Sequence, residues 1–267
     1  GERGTVEELV SLILNSSEKP LSLNELWQTL NIERTELEKA LQEEIATGKL
    51  IFLQDTQKYL STNQYEKHYS KILAEFKNMY KKYPYRYQID KEELKSRVFD
   101  WLDPKDFGAL INDYIAHQRF LTDGNSLSEL DGKALARILE TKEVSLVEKA
   151  FLAWDINTGS IQQVSKELNL KTNDTEEIVR FLQRSGKLME IDPGMYVHKE
   201  AIQKVYQALC SIMDANGKVS VAEVRDALNI GRKNVVIYLE YFDRAKVTVR
   251  KEDFRIPGAH YHNFLKN

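Results

Sequence analysis

The 267-residue sequence predicts a mainly α protein with small β-wings: four tandem winged-helix (helix-turn-helix) modules in an elongated array. Three observations carry this prediction. First, an amphipathic pattern ends at a small or polar residue, then a basic one, then a short apolar run, four times over. These points are Thr47-Gly48-Lys49-Leu50-Ile51, His117-Gln118-Arg119-Phe120-Leu121, Ser185-Gly186-Lys187-Leu188-Met189 and Arg244-Ala245-Lys246-Val247-Thr248. Basic positions 49, 119, 187 and 246 stand 70, 68 and 59 residues apart, and a steady spacing marks repeated supersecondary units. Second, a short Ser-capped helix recurs upstream of three of these points. Third, a two-stranded hairpin pattern follows them.

The elements follow in order. Ser22-Leu23-Asn24-Glu25-Leu26-Trp27-Gln28-Thr29-Leu30-Asn31-Ile32 reads as a short helix with Ser22 as N-cap and Glu25 three residues on, the capping-box arrangement. The template of Ser, apolar, Leu or Val, Leu and an Asn-apolar turn returns at 160–170 and 220–230, and in degenerate form at 89–99. A longer helix comes next; over 36–45 its apolar residues 37, 40, 41 and 45 share one face. Two short strands close the module, 50–53 and 58–61 around the turn 54–57, and 188–191 and 195–198 around Asp192-Pro193-Gly194. A first helix opens each module, as at 69–76 and 201–209. The predicted modules are 1–64, 65–134, 135–199 and 200–267; no boundary is rich in Pro or Gly, so the linkers read as short and the array as stiff.

Composition removes several classes. With 12 Gly, 5 Pro, 42% hydrophobic and 30% charged residues, the chain is neither collagen-like nor disordered. Its one cysteine, Cys210, excludes an internal disulfide and fits a reducing cytoplasm. No apolar run approaches the roughly 18 residues of a membrane span. The opening Gly-Glu-Arg-Gly-Thr-Val has no apolar signal core and no initiator Met, so a piece of a longer protein is expected.

The net charge of −3 hides a gradient. Lys and Arg against Asp and Glu number 6 and 11 over 1–64, 11 and 12 over 65–131, 10 and 10 over 132–199, and 11 and 8 over 200–267, giving −5, −1, 0 and +3. Phosphate contacts need cations, so nucleic-acid binding is expected at the C-terminal module, with the others as spacers or protein-binding modules. There Gly231-Arg232-Lys233 opens the second helix of the motif, placing free N–H groups and two cations at one helix end. On the wing, strand alternation lets Arg250 and Arg255 project from opposing strands toward one ligand. The opposite reading makes them ordinary surface charges paired to Glu252 and Asp253.

These residues carry a resemblance. The run from Asp226 through Gly231-Arg232-Lys233, then Leu239-Glu240-Tyr241-Phe242-Asp243 and Thr248-Val249-Arg250, resembles the C-terminal end of the bacterial selenocysteine-specific elongation factor (SelB) family. Residues 76–99, with Tyr83-Pro84 and Glu92-Glu93-Leu94-Lys95-Ser96-Arg97, look like the second winged helix of that family. The resemblance implies the mRNA-binding arm of a translation factor in the cytoplasm, a monomer without catalytic activity or cofactor of its own. Its C-terminal winged helix would bind a selenoprotein mRNA stem-loop (SECIS) and direct selenocysteine insertion at UGA. By the same resemblance, GTP, Mg and selenocysteyl-tRNA belong to preceding domains that meet the ribosome. Arg232 and Lys233 match the backbone-contacting pair, and Arg250 and Arg255 match wing positions near the loop. Asn234 and Val249 stand where the family often has an aromatic and a basic residue, and the tail after Pro257 matches nothing.

Other signals carry less. Gly48-Lys49-Leu50 and Gly186-Lys187-Leu188 lack the further residues of a phosphate loop and read as helix ends. The five His have no ligand-like partners, His260 and His262 in a strand-like tail included, so no metal site is expected. Cys210 reads as core. Tyr80, Tyr83, Tyr85 and Tyr87 with Arg86 suit base stacking, but packing between modules is favoured; Trp27, Trp101 and Trp154 read as core or joint anchors. No acid/base pair stands out. The alternatives are a tandem winged-helix scaffold for protein interaction and a DNA-binding regulator. RNA is favoured over DNA because one small basic module covers little duplex but can grip a splayed loop base.

Overall fold

The computed structural model describes residues 5–264; residues 1–4 and 265–267, the outer ends of the first and last predicted modules, lie outside the described residues. The chain is mostly helical with small antiparallel sheets and divides into two compact units, Gly1–Ala136 and Arg137–Asn267.

The first unit runs α1 (Val6–Ser16), β1 (Leu21–Ser22), α2 (Leu23–Leu30), α3 (Arg34–Ala46), β2 (Leu50–Leu53) and β3 (Lys58–Ser61). It continues with α4 (Thr62–Lys82), β4 (Gln88–Asp90), α5 (Lys91–Val98), α6 (Pro104–Ala116), β5 (Phe120–Thr122) and β6 (Ser126–Glu129); the unit boundary falls within α7 (Lys133–Leu139). Its sheets have the orders β1-β3-β2 and β4-β6-β5. Val10, Leu14, Leu26, Leu37, Leu41 and Leu50 form one core. Leu60 of β3 belongs instead to the next core, with Phe76, Leu94, Phe99, Leu110 and Phe120. Polar bonds tie the two halves: Gln64 Nε2 donates to the Asn15 carbonyl at 2.6 Å, and Lys58 pairs with buried Asp106 at 3.0 Å.

The second unit runs α8 (Lys142–Trp154), α9 (Ile161–Leu168), α10 (Thr172–Arg184), β7 (Leu188–Asp192), β8 (Met195–His198), α11 (Lys199–Asn216), β9 (Val219–Ser220), α12 (Val221–Leu228), α13 (Arg232–Arg244), β10 (Thr248–Lys251) and β11 (Phe254–Pro257). Its sheets are the pair β7-β8 and the order β10-β11-β9. One core joins its loop 155–160 and β7-β8 hairpin to the elements that follow: Ile156, Ile191 and Val197 pack with Val205, Leu209, Val224, Leu239 and Phe242. Each such fully buried side chain contributes about 1.5–3 kcal/mol relative to exposure.

Local chemistry explains the recurrence. Ser22, Ser160 and Ser220 accept from the N–H of Glu25, Gln163 and Glu223, whose side chains bond back to the cap N–H, a capping box each time. These helices end at Asn31, Asn169 and Asn229, all left-handed near φ 51–54°; a short polar side chain that bonds locally tolerates that region. The longer helices close alike. Lys49, Arg119, Lys187 and Val247 donate N–H to the carbonyl five residues back, at 2.9, 2.8, 2.9 and 2.9 Å. Each follows a left-handed residue: Gly48, Gln118, Gly186 and Lys246. The fourth landmark is therefore shifted by one, because Lys246 fills the left-handed position and Val247 corresponds to Lys49.

Three other sequence expectations are corrected. Trp27 and Trp101 are each 41% exposed, which corrects the core half of their reading; their indole N–H groups donate to the carbonyls of Ile32 (2.8 Å) and Val98 (3.1 Å), and Trp101 also packs on His68, its ring 5.6 Å away, beside the His68–Glu18 joint. In the tail after Pro257, residues 258–264 form a series of turns and are not strand-like. Cys210 is half-buried at the edge of the core.

Candidate nucleic-acid interface

Helix α13 is preceded by Gly231 at its N-cap, whose φ of −68° and ψ of 152° are extended and which has no side chain to cap the helix. Its first turn holds no acid, and Gly231, Arg232 and Lys233 are exposed. Unlike the Ser-capped helices, α13 leaves its leading N–H groups without a side-chain acceptor, the condition in which a helix end attracts an anion. The fold does not demand glycine here: φ is negative, and a Cβ at Gly231 would meet nothing within 4 Å. Its bare backbone leaves room for a ligand to come close.

The body of α13 is enclosed. Val235, Ile237, Tyr238, Leu239 and Phe242 are buried. Tyr238 Oη donates to the Ile156 carbonyl at 2.7 Å, and Arg244 Nη2 to the Ile191 carbonyl at 2.6 Å. Tyr241 Oη reaches Met189 Sδ at 3.8 Å. Burial raises the Tyr238 and Tyr241 phenols above their usual range, so both stay neutral donors. With β7 lying along it, α13 offers a ligand its first turn more readily than its length.

The wing separates the two arginines assigned to it. Arg250 and Arg255 are direct cross-strand partners and so share a face. Arg250 is exposed, its Nε donating to the Glu252 carbonyl at 3.1 Å. Arg255 is 3% exposed and pairs with Asp243 at 3.1 Å, while Thr248 Oγ1 donates to the other Asp243 oxygen at 2.7 Å. The expectation that both arginines reach one ligand is thus corrected. The two-residue strand β9 adds to β11 with Val219 opposite Arg255, and Asp243 holds the guanidinium inward. Neither arginine pairs with a carboxylate of Glu252 or Asp253. Sequence reasoning missed Asp243, whose i+5 relation to Thr248 crosses a helix end, and β9, too short to carry a strand pattern. It also missed Lys218, whose Nζ sits 5.0 Å from the Phe254 ring on the wing.

Among the described residues, no three His, Cys, Asp or Glu gather as a metal site, and no helix is long and apolar enough to cross a membrane.

Two family models described as "Elongation factor SelB, winged helix" match, one at residues 73–128 and one at 211–256. The selenocysteine-specific elongation factor of Desulfomicrobium baculatum is 22% identical over 239 residues, covering 88% of this chain and 37% of that protein. The factor of the same description from Haemophilus influenzae is 40% identical over 80 residues, covering 28% of this chain and 13% of the relative. The chain therefore spans well under half the length of these relatives. A bacterial selenocysteine-specific elongation factor EF-Sec crystal structure matches 92% of this chain and 37% of its own, with a TM-score of 0.53 at 14% identity, a likeness of fold. The mRNA-binding domain of E. coli SelB, solved in complex with SECIS RNA, matches 44% of this chain and 98% of its own at 20% identity, with a TM-score of 0.39. Residues 73–128 and 211–256 are thus each similar to a winged-helix domain of elongation factor SelB.

Proposed function

We propose that this chain is the mRNA-binding arm of a selenocysteine-specific elongation factor, made of four winged-helix modules, the last of which grips an RNA hairpin. The exposed first turn of α13 carries this reading. Gly231, Arg232 and Lys233 present uncapped N–H groups and two cations at one point, with Arg250 on the wing beyond the other end of the helix. Arg255 is a positioning residue in this scheme, holding the wing to α13 through Asp243. The recurring capping boxes and helix closures support four modules.

The enclosed body of α13 favours an RNA hairpin over duplex DNA. A helix read along its length in a major groove needs an open flank, whereas a phosphate or a splayed base needs only a helix end and a wing. On this reading the hairpin lies in selenoprotein mRNA and the arm holds the factor beside a UGA codon. Chemistry, GTP, Mg, selenocysteyl-tRNA and the main ribosome contacts fall to other parts of the factor, and the arm acts as a non-catalytic monomer in the cytoplasm. Salt titration tests the reading: hairpin affinity falls steeply with salt, and excess duplex DNA competes poorly. A salt-independent interaction contradicts it.

A further inference from the structure

The balance of −1 over 65–131 conceals a second concentration of positive charge. From Lys77 to Arg97 there are seven Lys or Arg against three Asp or Glu, a local +4 that exceeds the +3 of the last module. Four tyrosines are interleaved, at 80, 83, 85 and 87. Phosphate-neutralising cations alternating with π faces are the pattern of a surface for single-stranded nucleic acid.

The two ends of α4 do different work. Its N-terminal part holds the joint with the first module, where Gln64 bonds the Asn15 carbonyl at 2.6 Å and His68 the Glu18 carbonyl at 2.7 Å. Tyr83 comes fifteen residues after His68, roughly 22 Å at the helical rise, so the aromatic-basic cluster is no part of that joint. At this far end Lys81 and Lys82 fill the last turn and are exposed. The helix C-terminus attracts such cations, and an incoming phosphate then meets them ready placed. The Arg86 guanidinium lies 3.7 Å from the centre of the Tyr83 ring, and Lys82 Nζ lies 5.4 Å from it. A guanidinium held on a ring is a pre-ordered platform for a base, whose stacking tolerates any sequence.

We propose that the end of α4 and the following loop, centred on Lys81, Lys82, Tyr83 and Arg86, form a second RNA-binding surface, which takes a single strand by its phosphates and base faces. It stands apart from the hairpin site on α13 and does not rest on the hairpin reading. An acidic protein segment answers the charge alone, whereas a single strand uses the exposed lysines and the Arg86–Tyr83 stack together, which decides for RNA.

The test is fluorescence anisotropy of the whole chain with an oligouridylate of about twelve nucleotides in about 50 mM salt. Lys81→Gln/Lys82→Gln changes only exposed side chains, and Tyr83→Leu removes the π face while keeping apolar bulk. Arg232→Ala/Lys233→Ala is the control. We expect the double glutamine variant and Y83L each to lose about tenfold or more in affinity, the double variant also losing about 1.4 in salt slope at about 0.7 per phosphate. The α13 control keeps oligouridylate binding. A hairpin carrying a single-stranded extension identifies the source of the strand. Tighter binding than the bare hairpin in wild type only points to the same mRNA; no gain, with oligouridylate still bound, points to a separate RNA. The proposal is overturned by no oligouridylate binding in wild type, by equal binding in wild type and K81Q/K82Q, by loss confined to the α13 control, or by preference for a polyglutamate peptide over the oligonucleotide.

Discussion

Arg255 Nη2 stands 3.1 Å from Asp243 Oδ2, with the arginine side chain 4% exposed and the aspartate 24%. The wing of the last module is thereby fastened to the end of α13 by a charge pair, and its Thr248 bonds the same carboxylate at 2.7 Å.

Removing one partner of such a pair leaves the other buried and uncompensated. Arg255→Gln is expected to lower stability by about 3 kcal/mol, the low end for broken buried pairs because Asp243 keeps some solvent. Urea unfolding measures this. R255Q with unchanged stability but lost hairpin binding would return Arg255 to the RNA-contacting set.

Tyr238→Phe removes the hydroxyl that donates to the Ile156 carbonyl at 2.7 Å. The phenol is fully buried, so the carbonyl loses its donor where water does not replace it, a cost of about 1–2 kcal/mol. The same unfolding curves show it, and hairpin affinity at low temperature stays within about twofold of wild type, since less than about 0.5 kcal/mol of binding is involved.

Residues 258–264 are anchored through Tyr261, and Gly258 is where the chain turns. A Cβ there would lie 2.4 Å from the Lys246 carbonyl oxygen, a backbone atom that cannot swing aside. Gly258→Ala therefore displaces the tail and exposes Tyr261, which is 3% exposed and donates to Asp214 at 2.8 Å. We expect a loss of about 2 kcal/mol or more and faster proteolysis of the last ten residues, read by mass spectrometry.

The fold was legible where local chemistry repeats. Ser22, Ser160 and Ser220 with their partners three residues on, and the Asn turns that follow, specify the short helices without tertiary help. The second repeat was harder to read because Asp90 opens α5 with no side-chain cap bond and Phe99 ends it outside the left-handed region. Long-range pairing was illegible: nothing near Arg255 in sequence announces Asp243, and alternation placed the guanidinium on the correct face without showing that β9 and α13 close over it. The exposed end of α13 was legible because Gly231 caps nothing and two cations follow it. The core reading of Trp27 and Trp101 failed because large aromatics usually seek the core, whereas these two fasten turn carbonyls from the surface and Trp101 packs on His68 at the joint.

His68 links the first unit to pH. It is 1% exposed, its Nε2–H donates to the Glu18 carbonyl at 2.7 Å, and its Nδ1 is buried without a partner. Burial, which outweighs the carbonyl bond, lowers its pKa below the usual 6.5. The unfolded chain then binds a proton that the folded one refuses, so this contribution is complete above about pH 6.5 and declines as pH falls toward the lowered folded value. His68→Gln keeps a donor and removes the titration. The stability difference between about pH 7.5 and about pH 5.5 is expected to be smaller in H68Q than in wild type; an equal difference contradicts the assignment.

The most direct test of the central claim is a titration of a selenoprotein-mRNA hairpin into this chain, with Arg232→Ala/Lys233→Ala beside wild type. The account predicts specific binding by wild type, at least tenfold weaker in the variant, with a salt slope reduced by about one per lost phosphate contact and the fold intact. Undiminished hairpin binding by the folded variant, or equal affinity of wild type for any duplex, would contradict it.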